Sequence, residues 1–208
     1  MDRAGAGAVD AHGGTRSAPL VGRRVRLRPV QPSDYEYLYA LATDDEVSHR
    51  WRFRGTTPSP DAFVQLLWQH SVVQFVVEHK ESGRRIGHLS AFNADDRNGW
   101  CHIGVVIDPA LSRTGWALES IALFLNHLFV TFGFRKLYGE VLEPAFADLA
   151  SGAGRWFRVE GRLERHEFFA GRYWDLVVLA LYREDWEREG VPLVEKLTNP
   201  PKPPIGRP

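Results

Sequence analysis

The chain has 208 residues, enough for one domain with tails, and its 26 basic residues balance 26 acidic ones, so no net charge draws it to nucleic acid. Its single cysteine, Cys101, rules out an internal disulfide and suits a reducing compartment, read here as the cytoplasm. No apolar run reaches the roughly 20 residues that span a bilayer, so no membrane partner is expected.

Residues 1–20 are rich in Gly and Ala, lack the apolar core of a signal peptide and read as a disordered leader. The stretch RRVRLRPV at 23–30 alternates, with Val25 and Leu27 on one face, and predicts a strand whose arginines are solvated. Pro32-Ser33-Asp34 opens a helix with Tyr35, Leu38, Tyr39 and Ala42 on one stripe. Residues 47–57 read as a loop or broken helix carrying Trp51, Phe53, Arg50, Arg52 and Arg54, in which the arginines are solvated or face an acidic acceptor; residues 58–69 read as a second helix.

Residues 72–78 and 85–92 are β-branched or alternating runs joined by a Ser82-Gly83 turn. A polar turn at 93–99 leads into a third strand over 100–107, which completes an antiparallel meander; Asp108-Pro109 stops it, because proline has no ladder N–H. A long amphipathic helix opens at Gly115 and runs to about Phe132, with Gly133 as its cap. It crosses over to a parallel strand at 136–142. A weak helix is expected over 144–155, since Gly152 and Gly154 each cost about 1 kcal/mol relative to alanine. A long hairpin at 159–182 turns at Ala170-Gly171, a helical turn containing Trp186 closes a domain of residues 21–187, and a proline-rich tail takes 188–208.

The strand–loop–helix junction between Ile107 and Ala117 is the most informative local feature. First-turn N–H groups of a helix converge there with the positive end of its dipole, which favours an anion such as a phosphate or diphosphate. Gly115 and Ala117 would let that anion approach the backbone, and Arg113 and Thr114 would add a guanidinium and a hydroxyl. A junction that binds nothing is the alternative that a G-x-A pair alone leaves open.

The segment IDPALSRTGWALES resembles motif A of the GNAT superfamily of N-acetyltransferases, with Ser112-Arg113-Thr114-Gly115-Trp116-Ala117 in the register of [Gln/Arg]-x-x-Gly-x-[Gly/Ala]. Ser112 departs from the first position. The segment is most similar to the ribosomal-protein N-terminal acetyltransferase-like branch, which the opening LRPVQPSDYEYLYAL also resembles; the ending resembles that of the family, where Glu160, Gly161, Gly171, Asp175 and Leu181 match and Glu164 stands where Arg is usual. The resemblance implies an α/β fold with a mainly antiparallel six- to seven-stranded mixed sheet, one parallel pair splayed apart, and flanking helices. It implies acetyl-CoA as acyl donor, held by the backbone of Val105, Val106 and Ile107 and by Arg113, Thr114, Gly115, Trp116 and Ala117. Arg113 replaces a glycine of the branch pattern and would either clamp or crowd the diphosphate. Relatives place Asn, Ser and a tyrosine acid on the fourth helix; Ala145, Asp148 and Gly152 stand there instead.

Acetyl transfer to an amine needs a base for the amine proton. His102 is the first candidate, on the face of Gly104 and Val106 and opposite Cys101, Ile103 and Val105. Glu140 and Glu143 are its rivals; His88 and His166 read as structural, Cys101 is not expected to act as a nucleophile, and no His/Cys spacing suggests a metal. The expected acceptor is the amine of a small molecule or of a protein N-terminus. A homodimer formed through edge strands is possible in such a fold. The alternatives are a catalytically degenerate relative that binds acyl-CoA or a protein partner, and an enzyme with a different acyl donor.

Overall fold

A computed structural model describes residues 18–199 other than 46, 52–53, 55, 109–110 and 112–114. Seven strands form one sheet: β1 Val25–Pro29, β2 Ser71–His79, β3 Arg85–Asp95, β4 Trp100–Ile107, β5 Lys136–Leu142, β6 Arg158–Phe169 and β7 Arg172–Tyr182, in the order β1-β2-β3-β4-β5-β7-β6. Only β4 and β5 run parallel, and the crossover between them is the helix α3 Trp116–Thr131. This is the expected mixed sheet with one parallel pair.

The two faces bury different sets of side chains. On one, α3 presses Leu123, Phe124 and Leu128 onto Val25, Leu89 and Cys101. On the other, α1 Tyr35–Thr43 and α2 Pro60–Trp68 cover Val76 and Val106 with Leu38, Phe63 and Leu67. The α2 helix starts where its sequence says it should: Ser59 caps the Ala62 N–H, and Pro60 occupies the first turn.

The arginines of β1 are not solvated decoration. Arg26 and Arg28 both reach Glu78 on β2, and Arg28 also makes a two-pronged contact with Asp34 at 2.9 and 3.0 Å. Asp34 is fully buried and takes a further contact from Arg85. Burial pushes its carboxyl up, but the Arg28 hydrogen bonds and the Gln31 N–H outweigh that and hold it below the usual range. This lattice fixes the start of α1 against the sheet, which accounts for the LRP…D spacing.

Three expectations about element ends need correction. Gly133 does not cap α3: the helix ends at Phe132 in extended backbone, and the Arg183 guanidinium donates to the carbonyls of Phe129, Phe132 and Phe134 at 2.6 to 2.8 Å. A side chain from the end of β7 thus meets acceptors that an αL glycine would otherwise satisfy. The expected helix at 144–155 shortens to α4 Glu143–Leu149, followed by a 3-10 turn at Ala150–Gly152. The packed region also continues past 187. A helical turn, α5 Arg183–Asp185, runs through a π-helical stretch at Trp186–Gly190 into α6 Val191–Thr198, whose Val194 is buried in the α3-side core.

At the other end, Leu20 and Val21 pair with Leu27 and Arg26. Residues 1–17 of the expected leader and 200–208 of the expected tail lie outside the described residues. No helix among the described residues is long and apolar enough to cross a membrane.

Candidate active site

β4 and β5 pair only over Trp100–His102 and Lys136–Tyr138. Beyond that point β5 stays with β7 to Leu142 and β4 stays with β3 to Ile107, so the parallel pair forks. The Asp108 N–H donates to the Ile86 carbonyl at 2.9 Å, and antiparallel pairs alternate between bonded and non-bonded positions. The register therefore turns the backbone groups of Val106 toward His88 on β3. Those of Val105 and Ile107 point into the fork. Of the three expected backbone contacts, two are available to a ligand and Val106 is not.

At the far end of the fork, Gly115 holds the start of α3 in the left-handed region at φ +78. Among the described residues, a Cβ built there would meet the Arg24 guanidinium alone, at 3.9 Å, so the helix start has a cation beside it. The Trp116 ring stacks on His79 at 4.6 Å, which leaves its main chain rather than its ring for an anion. Arg113 and Thr114 lie outside the described residues.

Glu119, in the first turn, is buried and accepts the backbone N–H groups of Arg24 and Val25 at 2.9 and 3.4 Å. Gly22 permits this, because a Cβ there would sit 2.1 Å from the Glu119 carboxylate. Open backbone in the fork and a cation-flanked helix start fit a ligand that carries amides at one end and phosphates at the other.

The near end of the fork is built from side chains. His102 lies among three rings: Phe92 at 5.8 Å, Trp100 at 5.5 Å and Tyr138 at 5.7 Å. Its Nδ1 is buried with no hydrogen-bond partner, and its Nε2 lies 3.7 Å from a Glu140 oxygen. Burial lowers its pKa from 6.5, and Glu140 pulls it partly back. The imidazole is therefore neutral at pH 7, with Nε2 beside a carboxylate and too far from it for a direct hydrogen bond.

The structure thus brings together the two expected catalytic candidates, His102 and Glu140. Glu143 is instead held by Arg162 at 2.6 Å. His88 bonds Gln74 in the α2-side core, and His166 is exposed on β6. Cys101 faces α3, and burial pushes its thiol up to about 12.

Arg54 corrects the expectation for its loop. It is exposed to solvent, but the acids it meets belong to its own chain: its guanidinium contacts Glu140 at 2.5 Å and Glu167 on β6 at 3.0 Å. Arg50 is exposed, and Arg52 lies outside the described residues.

Gly152 packs against Phe157, and a Cβ there would lie 2.9 Å from that ring, so the position that relatives give to a tyrosine acid has no room for one in this arrangement. Sequence reasoning also missed the ring enclosure and Arg24. The period-2 alternation of β3, β4 and β5 could have found the rings, because Phe92, His102 and Tyr138 are register neighbours. Nothing local marks Arg24.

A family model described as "Acetyltransferase (GNAT) domain" matches residues 24–144. Spermidine N(1)-acetyltransferase of Escherichia coli K12 is 23% identical over 169 residues, covering 79% of this chain and 89% of that protein. A prophage-derived uncharacterized N-acetyltransferase of Bacillus subtilis, YokL, is 22% identical over 169 residues, covering 80% and 94%.

Among solved structures, spermidine N-acetyltransferase from Vibrio cholerae in complex with CoA and spermine superposes with a TM-score of 0.69 at 22% identity, over 79% of this chain and 98% of that one. A GCN5-related N-acetyltransferase from Brucella melitensis gives 0.62 at 26% identity, over 81% and 80%. With more than half of its residues inside the family model, this chain belongs to the GNAT family of acetyltransferases and is an N-acetyltransferase with acetyl-CoA as its acyl donor.

Proposed function

We propose that this enzyme acetylates a primary amine of a small molecule, with His102 as the base and Glu140 as its charge partner. The observation that carries the reading is the His102–Glu140 approach of 3.7 Å at the point where β4 and β5 part. The acceptor amine is protonated at neutral pH and must lose a proton before its lone pair can attack. A neutral imidazole takes that proton on Nε2, and the Glu140 carboxylate stabilises the imidazolium that results. When bound, acetyl-CoA supplies the activated acyl carbon. Val105, Ile107 and the Gly115–Ala117 backbone would hold it, with Arg113 and Thr114 at the phosphates.

The acceptor side favours a cationic alkylamine. Aromatic faces attract ammonium groups, and Phe92, Trp100 and Tyr138 enclose the base beside the carboxylates Glu140 and Glu167. The relatives named spermidine N-acetyltransferases point the same way. The resemblance of motif A to the ribosomal-protein branch supports a protein N-terminus instead, and we rank it second because the enclosure is lined by rings and acids.

The test is incubation of the purified protein and acetyl-CoA with spermidine, a simple alkyl monoamine and a short peptide with a free N-terminus, read by mass spectrometry of the products. Acetylated small amines are expected. Acetylation of the peptide alone would transfer the assignment to protein N-termini, and no product from any of the three would refute the reading.

A further inference from the structure

We propose that Arg24 is a binding residue for the diphosphate of CoA, reaching it from just before β1 across the start of α3. The proposal rests on the first turn of α3 being the diphosphate site. Its own support is the placement of Arg24.

The Arg24 backbone is fixed at both groups: its N–H donates to the Glu119 carboxylate in the first turn of α3, and its carbonyl accepts from the Lys80 N–H at 2.7 Å. Both anchors belong to regular elements or their immediate ends, so the side chain projects from a rigid base. The Glu119 carboxylate is directed at the backbone N–H groups of Arg24 and Val25. The Arg24 side chain is exposed, and its Nη1 lies 3.9 Å from a Cβ built on Gly115.

An anion seated on the N–H groups of the first turn would therefore lie within reach of this guanidinium. A planar fork of N–H donors is well matched to phosphate oxygens. The sequence hides the role because Arg24 is one of a run of arginines. Within that run each arginine meets different groups: Arg23 donates to carbonyls of Lys196 and Asn199, and Arg26 and Arg28 pin β2.

The experiment is calorimetric titration of the full chain and of Arg24→Gln with CoA, 3′-dephospho-CoA and pantetheine, with Arg23→Gln as a control for lost surface charge. Glutamine keeps the main-chain anchors, and a melting temperature within error of the wild type checks the fold. In Arg24→Gln, CoA and 3′-dephospho-CoA should lose affinity by the same factor, about tenfold or more. Pantetheine should bind as before, and Arg24→Lys should recover part of the loss.

A loss confined to CoA would place Arg24 at the 3′-phosphate and overturn the assignment. So would unchanged affinity for both nucleotides, or an equal loss for pantetheine, which marks a purely structural effect. Failure of the wild-type protein to bind CoA at all would instead remove the α3 site itself, and the proposal with it.

Discussion

The two ends of the fork are built from different materials. In the proposed site the donor end is main chain: two strand residues facing a gap, a helix start and a glycine in a left-handed conformation. The acceptor end is side chain: His102 from β4, Glu140 from β5, Arg54 from a loop and Glu167 from β6. A backbone site depends on fold and on a few small residues, so one short motif is enough to announce it. A side-chain site converges from distant stretches, and each member looks ordinary on its own. The same contrast separates what the ligands ask for, since CoA offers the same phosphates and amides to every relative, whereas the acceptor varies.

The largest effect should come from blocking the main-chain end. Gly115→Glu puts a carboxylate where the diphosphate would sit and an L side chain at φ +78. CoA affinity should fall by about a hundredfold or more in calorimetry, and unchanged affinity would separate Gly115 from the site. Next comes His102→Gln, expected to lower kcat/KM by about 10²- to 10⁴-fold while leaving the CoA affinity intact. Parallel losses in both would mean that the two ends are not independent.

Smaller effects should appear in the pH profile. Burial holds the His102 pKa below 6.5, and the proposed base acts as the neutral imidazole, so kcat/KM should be flat near pH 7 and fall as pH drops through that lowered value. Glu140 raises the His102 pKa, so Glu140→Gln should move this acid limb to lower pH. Smallest of all, Arg54→Ala removes the cation that partly offsets Glu140 and should move the limb in the opposite direction, by less than about one pH unit. Two shifts of the same sign would break the proposed His102–Glu140–Arg54 relay of charge.

What could be read from the sequence follows the same division. Gly115 is legible because only a glycine is at ease at its φ, and the β6–β7 hairpin is legible because Ala170-Gly171 supplies two consecutive left-handed residues at φ 51 and 80. Strand alternation correctly put His102 opposite Cys101. The cap of α3 was not legible, because its donor, Arg183, lies about fifty residues downstream of the carbonyls it meets. The α6 helix was hidden by composition: Pro192 looks like part of a proline-rich tail, yet it falls in the first turn, where a helix tolerates proline. The β1 arginines read as solvent-facing because nothing nearby reveals that Glu78 and Asp34 come to meet them. Arg54 owes its partners wholly to where its loop lies in the fold.

The burial of Cys101 has a practical side. It is the chain's single sulfhydryl, it is sealed beneath α3, and with its ionisation pushed up to about 12 almost none of it is the reactive anion at neutral pH. The native enzyme should therefore be nearly silent toward aromatic disulfide dyes. Any colour that develops during turnover would report free CoA, which allows continuous spectrophotometry of the unmodified protein. The same silence makes a sudden dye reaction a sensitive sign that the sheet has come away from α3.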